Sequence, residues 1–128
     1  MEYHKCMSRE SEFEERLLRF SKEIIFFCKK VPENNITRPI ISQLVRSATS
    51  VGANYIEANS SFSPKDFASK ISICRKEAQE TKYWLRLMND CDVTKKTEID
   101  LLWKEANELS LIFHKISFTI NQNRKITK

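Results

Sequence analysis

The chain has 128 residues, a formal net charge of +5, and 41% hydrophobic against 30% charged residues, which suits one soluble globule and excludes a disordered chain. A single Gly and three Pro exclude an all-β fold, which uses both residue types in its turns, and predict long helices with few loops. At this length folding buries about two thirds of the surface of the unfolded chain, so the core needs no staples.

The first helix is predicted over about 11–31. Phe13, Leu17, Phe20, Ile24, Phe27 and Val31 recur at steps of 4, 3, 4, 3 and 4, the seam of a helix in a bundle. Leu18 and Ile25 widen it. Pro32 stops the helix, and Pro32-Glu33-Asn34-Asn35-Ile36 reads as a turn. The second helix is expected over 38–59, starting at Thr37 or Arg38, with Pro39 in the first turn where its missing N–H costs nothing. Its seam is Ile40, Leu44, Ala48, Val51, Tyr55 and Ala58. Gly52 inside that helix costs about 1 kcal/mol against Ala, and a close helix–helix approach is the expected compensation.

The third helix, expected over 64–89, has the clearest start. Ser63 is the N-cap, Pro64 the first helical residue and Asp66 the acid of a capping box. Phe67, Ile71, Cys74, Ala78, Thr81, Leu85 and Met88 form its seam. Beside them runs a second stripe, Asp66, Lys70, Ile73, Glu77, Glu80, Trp84 and Leu87. Glu77 and Glu80 thus stand between Ile73 and Trp84, and carboxylates at the edge of an apolar face need a cation or a hydrogen-bond donor.

Cys91-Asp92-Val93-Thr94 makes the last turn, with Asp92 or Thr94 as the cap of a fourth helix over 95–122. Ile99, Leu102, Ala106, Leu109, Phe113, Ile116 and Ile120 are its seam. No acid follows Glu108, while Lys115, Arg124, Lys125 and Lys128 do, so residues 121–128 are a basic tail expected to fray. Four seams with short connections predict an all-α fold, an up-down-up-down antiparallel four-helix bundle forming a single domain over 1–128. Leu18, Ile25, Ile41, Val45, Ile56, Ile73, Trp84, Leu87, Leu101, Trp103, Leu111 and Phe118 lie off the seams. Either the stripes are wide, or an outer face is buried against other copies.

Composition and motifs argue against catalysis. Cys6, Cys28, Cys74 and Cys91, separated by 22, 46 and 17 residues, match no zinc or redox pattern, and Cys74 reads as a small core residue. The polar start of the chain carries no signal peptide, so a reducing cytoplasm is expected. The longest apolar run, Ile24 to Cys28, is far short of the ~20 residues of a membrane span. A metal-carrying bundle needs Glu-x-x-His pairs, and neither His4 nor His114 follows a Glu by three residues. His114 is tied to no nucleophile by motif. No cofactor, metal or catalytic residue is expected, and no membrane partner.

Two sets of polar residues remain. Arg46, Ser50, Ala53 and Glu57 share one face of the second helix, with Asn54 beside them. Arg46 or Asn54 is expected to satisfy Glu77 or Glu80 across the helix pair, with a role in register or assembly specificity; the alternative is a set of solvated charges that never meet. Lys65, Lys70, Arg75, Lys76, Lys82 and Arg86 of the third helix, with Arg124 and Lys125 of the tail, are candidates to hold a phosphate backbone, Phe62 and Tyr83 lying nearby. The alternative there is a solvated helix face. No zinc finger or other base-reading motif is present, so sequence-specific recognition is not expected.

The central stretch, Arg46-Ser47-Ala48, Ser50 to Glu57, Ser63-Pro64-Lys65-Asp66-Phe67, Ile73 through Thr81 and Trp84-Leu85, resembles the bacterial four-helix bundle proteins encoded in intervening sequences of 23S ribosomal RNA genes, a family related to the accessory variability proteins of diversity-generating retroelements. The family shows Asn-Ile-Ala-Glu-Gly near the end of the second helix, and Asn54-Tyr55-Ile56-Glu57-Ala58 stands there in this chain. Arg46, Asn54, Glu57, Glu77 and Glu80 match the family's polar signature by position. The resemblance implies a ring-shaped homopentamer without enzymatic activity. In the retroelement relatives it implies a basic barrel that engages nucleic acid and a reverse transcriptase. The expectation is therefore a non-enzymatic oligomeric bundle that binds RNA or DNA non-specifically as an accessory factor. The rival expectation is a protein-interaction scaffold without nucleic-acid binding.

Overall fold

The computed structural model describes residues 8–126, with side chains placed through Asn123. Four helices make up most of it: α1 (Arg9–Lys30), α2 (Thr37–Asn59), α3 (Pro64–Cys91) and α4 (Lys96–Ile126), with one 3-10 turn, Val93–Lys95, ahead of the last. No strand occurs among the described residues, and no helix there is long and apolar enough to cross a membrane.

Local polar chemistry sets the helix ends. Ser8 Oγ accepts from the Ser11 N–H at 3.1 Å, so α1 opens at Arg9, slightly ahead of its expected start. Asn34 Oδ1 accepts from the Ile36 and Thr37 N–H groups at 2.8 and 2.9 Å, and the Thr37 hydroxyl donates to the Pro32 carbonyl at 2.8 Å. Those bonds place the start of α2 at Thr37. Ser63 Oγ accepts from the Asp66 N–H at 3.1 Å, the cap that the third helix called for. Before α4 the cap is Asp92, whose Oδ1 accepts from the Thr94 N–H at 3.1 Å. Hydrogen bonds from Thr94 hold the Asp92 carboxyl below the usual carboxylate range. α4 continues past its expected end at 122, through Ile126, because no Gly or Pro interrupts it and cations near a helix C-terminus are favoured by its dipole; the last two residues of the expected basic tail, 127–128, lie outside the described residues.

The four seams meet in one core. Leu17, Phe20, Ile24, Leu44, Val51, Ile71, Leu85, Met88, Leu109 and Phe113 are almost wholly buried, and each large side chain contributes about 1.5–3 kcal/mol. Phe13, Tyr55 and Phe113 cluster with ring centroids 4.9 to 6.0 Å apart, tying three helices together at one end. At Gly52 the helices do come close, but a Cβ built there would meet Leu17 Cβ at 3.4 Å, ordinary van der Waals contact. The approach would tolerate a methyl group.

Consecutive helices pack along their lengths, whereas α1 and α4 touch sparsely. Ion pairs close that side: Arg16 reaches Glu105 at 2.7 Å and Glu108 at 2.8 Å, and Lys30 reaches Glu98 at 2.8 Å. The bond to Glu105 is the main reason the Arg16 guanidinium holds its proton still more firmly than usual. Of the off-seam apolar residues, Ile41, Val45, Trp84 and Trp103 pack partly against the core. Leu18, Ile25, Ile56, Leu101, Leu111 and Phe118 stay exposed, as do Phe26, Phe62 and Tyr83.

Candidate nucleic-acid interface

α3 is the helix that both neighbours share, and its two flanks differ. On the α2 side the polar stripe is paired. Arg46 Nη1 donates to Glu77 Oε2 at 2.9 Å, its other terminal nitrogen pairs with Glu80, and its Nε donates to Gln43 at 2.8 Å. Glu77 is 8% exposed, and a carboxylate so covered needs this cation. Trp84 Nε1 donates to the same Glu80 at 3.0 Å. Beneath the ion pairs, the buried Thr81 hydroxyl lies 2.9 Å from Ser47 Oγ and Cys74 Sγ donates to the Val51 carbonyl at 3.4 Å. Burial pushes the Cys74 thiol up to about 12.

Sequence reasoning grouped five residues in this network, and the structure divides them. Arg46, Glu77 and Glu80 meet. Asn54 turns to its own helix, its amide donating to Ser50 at 2.9 Å. Glu57 lies 3.5 Å from Lys70, so Lys70 belongs to this flank and not with the other basic candidates.

The α4 flank carries the remaining cations. Lys65 and Arg75 line a recess of about 380 Å³ with Ser69, Ser72, Ser117 and Asn121. Farther along, Lys82 Nζ donates to Asn107 at 2.8 Å and to Gln79 at 3.0 Å and stands 5.0 Å over the Trp103 ring. Arg86 is exposed at the far end, and Lys76 faces solvent beside Arg75. From Lys65 to Arg86 the strip runs about 30 Å at the α-helical rise. Among the described residues no ion pair involves Lys65, Arg75, Lys76, Lys82 or Arg86.

Four acids of the two helices are turned elsewhere. Glu77 and Glu80 face Arg46 on α2, and Glu105 and Glu108 face Arg16 on α1. Carboxylates return at the far end, with Asp90 and Asp100 beside Arg86. A groove lined by unpaired cations, hydroxyls and amides offers charge and hydrogen bonds to phosphate oxygens without reading bases. Arg124 and Lys125 lie in the last turn of α4, outside the described side chains.

Sequence reasoning missed what α4 brings to this groove. Trp103, Asn107, Ser117 and Asn121 lie at helical spacing with no acid among them, a stripe that could have been read beside the seam. The pairing of Arg16 with Glu105 and Glu108 carried no such signal, since it spans 89 and 92 residues of sequence. Among the described residues no group of three or more His, Cys, Asp and Glu is arranged to hold a metal ion.

Fold and groove together define a helical-bundle module whose most distinctive surface is a cationic strip between its last two helices. The chain belongs to the family of 23S rRNA-intervening sequence proteins, whose pattern it matches over residues 9–115. It is similar to a crystal structure of a protein of unknown function from the S23 ribosomal protein family of Bacteroides thetaiotaomicron, at 27% identity and a TM-score of 0.77, over 86% of this chain and 98% of the other. No curated protein matches.

Proposed function

We propose that this chain is a non-enzymatic, self-associating bundle that binds RNA or DNA through the phosphate backbone, as an accessory factor to RNA or to a nucleic-acid enzyme such as a reverse transcriptase. The observation that carries the reading is the α3/α4 strip, where Lys65, Arg75, Lys76, Lys82 and Arg86 lie together without a carboxylate partner. A net charge of +5 is modest for one copy, but repetition of the strip around an oligomer multiplies the number of phosphates met at once.

Self-association is supported by Leu18, Ile25, Ile56, Leu101, Leu111 and Phe118, which a single copy leaves exposed. The assembly in this reading is a closed ring of five copies, as the resemblance implies. Labelled RNA and DNA titrated at several salt concentrations test the strip. Affinity should fall steeply as salt rises, with a log–log slope of about −0.7 per phosphate contact on single strands. Absence of binding in low salt would leave the scaffold reading in its place, and the mass of the assembly in solution tests the oligomer separately.

A further inference from the structure

At the Arg86 end of the strip lies a smaller recess. α3 contributes Arg86 and Asn89, the first turns of α4 contribute Ile99, Asp100 and Trp103, and they surround about 240 Å³. Two buried side-chain atoms among the described residues have no hydrogen-bond partner, Asn89 Oδ1 and Trp103 Nε1. Both belong to the wall of this one recess. Buried polar groups are nearly always paired, so an orphaned acceptor and an orphaned donor on residues of one wall point to a ligand that offers the complementary pair. Asn89 and Trp103 are each only half-buried, so parts of both side chains border the opening.

The rest of the wall narrows the ligand. Asp100, whose Oδ2 is held by Lys96 at 2.7 Å, adds its other carboxylate oxygen as an acceptor and Arg86 a cationic donor, while Lys82 Nζ stands over the Trp103 ring at 5.0 Å and joins the recess to the strip. The space equals about eight waters, less than a typical drug-sized pocket, and suits one heterocyclic base. Guanine sets two adjacent N–H donors beside the O6 acceptor, which answers two acceptors (Asn89 and Asp100) and two donors (Trp103 and Arg86). Adenine and uracil offer fewer donors to two acceptors. Single-stranded nucleic acids are bound by taking splayed bases into such places, edge by hydrogen bonds and face by aromatic rings.

We propose that this recess takes up one unstacked guanine base from a strand whose phosphates lie on the α3/α4 strip; the proposal rests on the nucleic-acid reading above and adds a base preference to it. The test uses the full chain and two oligouridylates of equal length, each able to span the strip, one with a single central guanosine. Anisotropy of the labelled strands should give about tenfold tighter binding of the guanosine-containing one. Trp103→Phe keeps the ring but loses the N–H, and Asn89→Ala loses the amide. Either variant should erase the preference, and Asn89→Ala, which lies off the strip, should leave oligouridylate affinity and its salt slope unchanged. In a Trp84→Phe background Trp103 is the sole indole, and guanosine monophosphate should quench its emission far more than adenosine monophosphate does. Equal affinity for the two strands, with the salt slope intact, overturns the recess and leaves the strip standing. Binding of neither strand overturns the strip and the recess with it. Stronger quenching by the adenosine nucleotide overturns the guanine assignment.

Discussion

The two flanks of α3 carry similar residue types and reach opposite states. Toward α2, Lys70 meets Glu57, Glu77 and Glu80 meet Arg46, and hydroxyl and thiol bonds lie beneath. Toward α4, Lys65, Arg75 and Lys82 find hydroxyls, amides and an indole ring, Lys76 faces solvent beside them, and carboxylates come near only at the Arg86 end. The neighbour decides the outcome. α2 supplies both an arginine and a carboxylate to its side of α3, whereas α4 directs Glu105 and Glu108 to Arg16 on α1. A charge on a helix thus says little about binding until the facing helix is known, and an unpaired strip beside a paired one marks where an outside anion fits.

The largest effect should come from reversing the unpaired flank. Arg75→Glu, Lys76→Glu and Arg86→Glu combined should lower polyanion affinity at low salt by roughly a hundredfold or more and flatten the salt slope by about 2. The melting temperature should hardly move, because no ion pair of the fold is lost; anisotropy and thermal unfolding check the two halves.

The paired flank should respond in the opposite way. Arg46→Ala leaves the nearly buried Glu77 carboxylate without its cation and should cost about 2 kcal/mol, read from urea unfolding, while the salt slope of binding stays the same. An unchanged urea midpoint would show that the Arg46 contacts are solvated ornaments of the surface.

A pH series sharpens the same contrast. Burial raises the Cys74 thiol from the ordinary 9.0 to about 12, and likewise Cys28 to about 11. A group raised in the folded state contributes stability that is complete below the unfolded value and is lost as pH climbs through the folded one. The chain should therefore weaken above pH 9.0, the Cys74 part fading toward about 12. Replacing Cys74 with Ala should flatten that alkaline decline in the urea midpoint.

The smallest effect should appear away from both flanks, at the α1/α2 contact. Gly52→Ala gains helix propensity worth up to about 1 kcal/mol, and its methyl meets Leu17 at an ordinary distance. A small rise in melting temperature is expected, with binding untouched. A fall instead would mean that α1 and α2 cannot spare the space.

Much of this molecule could be read in advance because helical period and capping are local. The seam from Phe13 to Val31 is buried except for the partly covered Phe13, since residues three and four apart share a face whatever lies opposite. Ser63 capped α3 for the same reason, needing only the N–H of Asp66. The meeting of Arg46 with Glu77 and Glu80 was also accessible, because their stripes flank adjacent seams. Lys70 was misgrouped: positive charge is visible in the sequence, but the flank to which a side chain leans depends on how the helix is rotated in the bundle.

By itself, then, the sequence determined four amphipathic helices, their turns and the residues of the common core, since periodicity, caps and helix breakers act within a few residues. Only the tertiary structure decided which of the charges are neutralised and that Asn89 and Trp103 line one recess. Those outcomes depend on atoms brought together from distant parts of the chain, and no local pattern records the neighbour that each side chain will find.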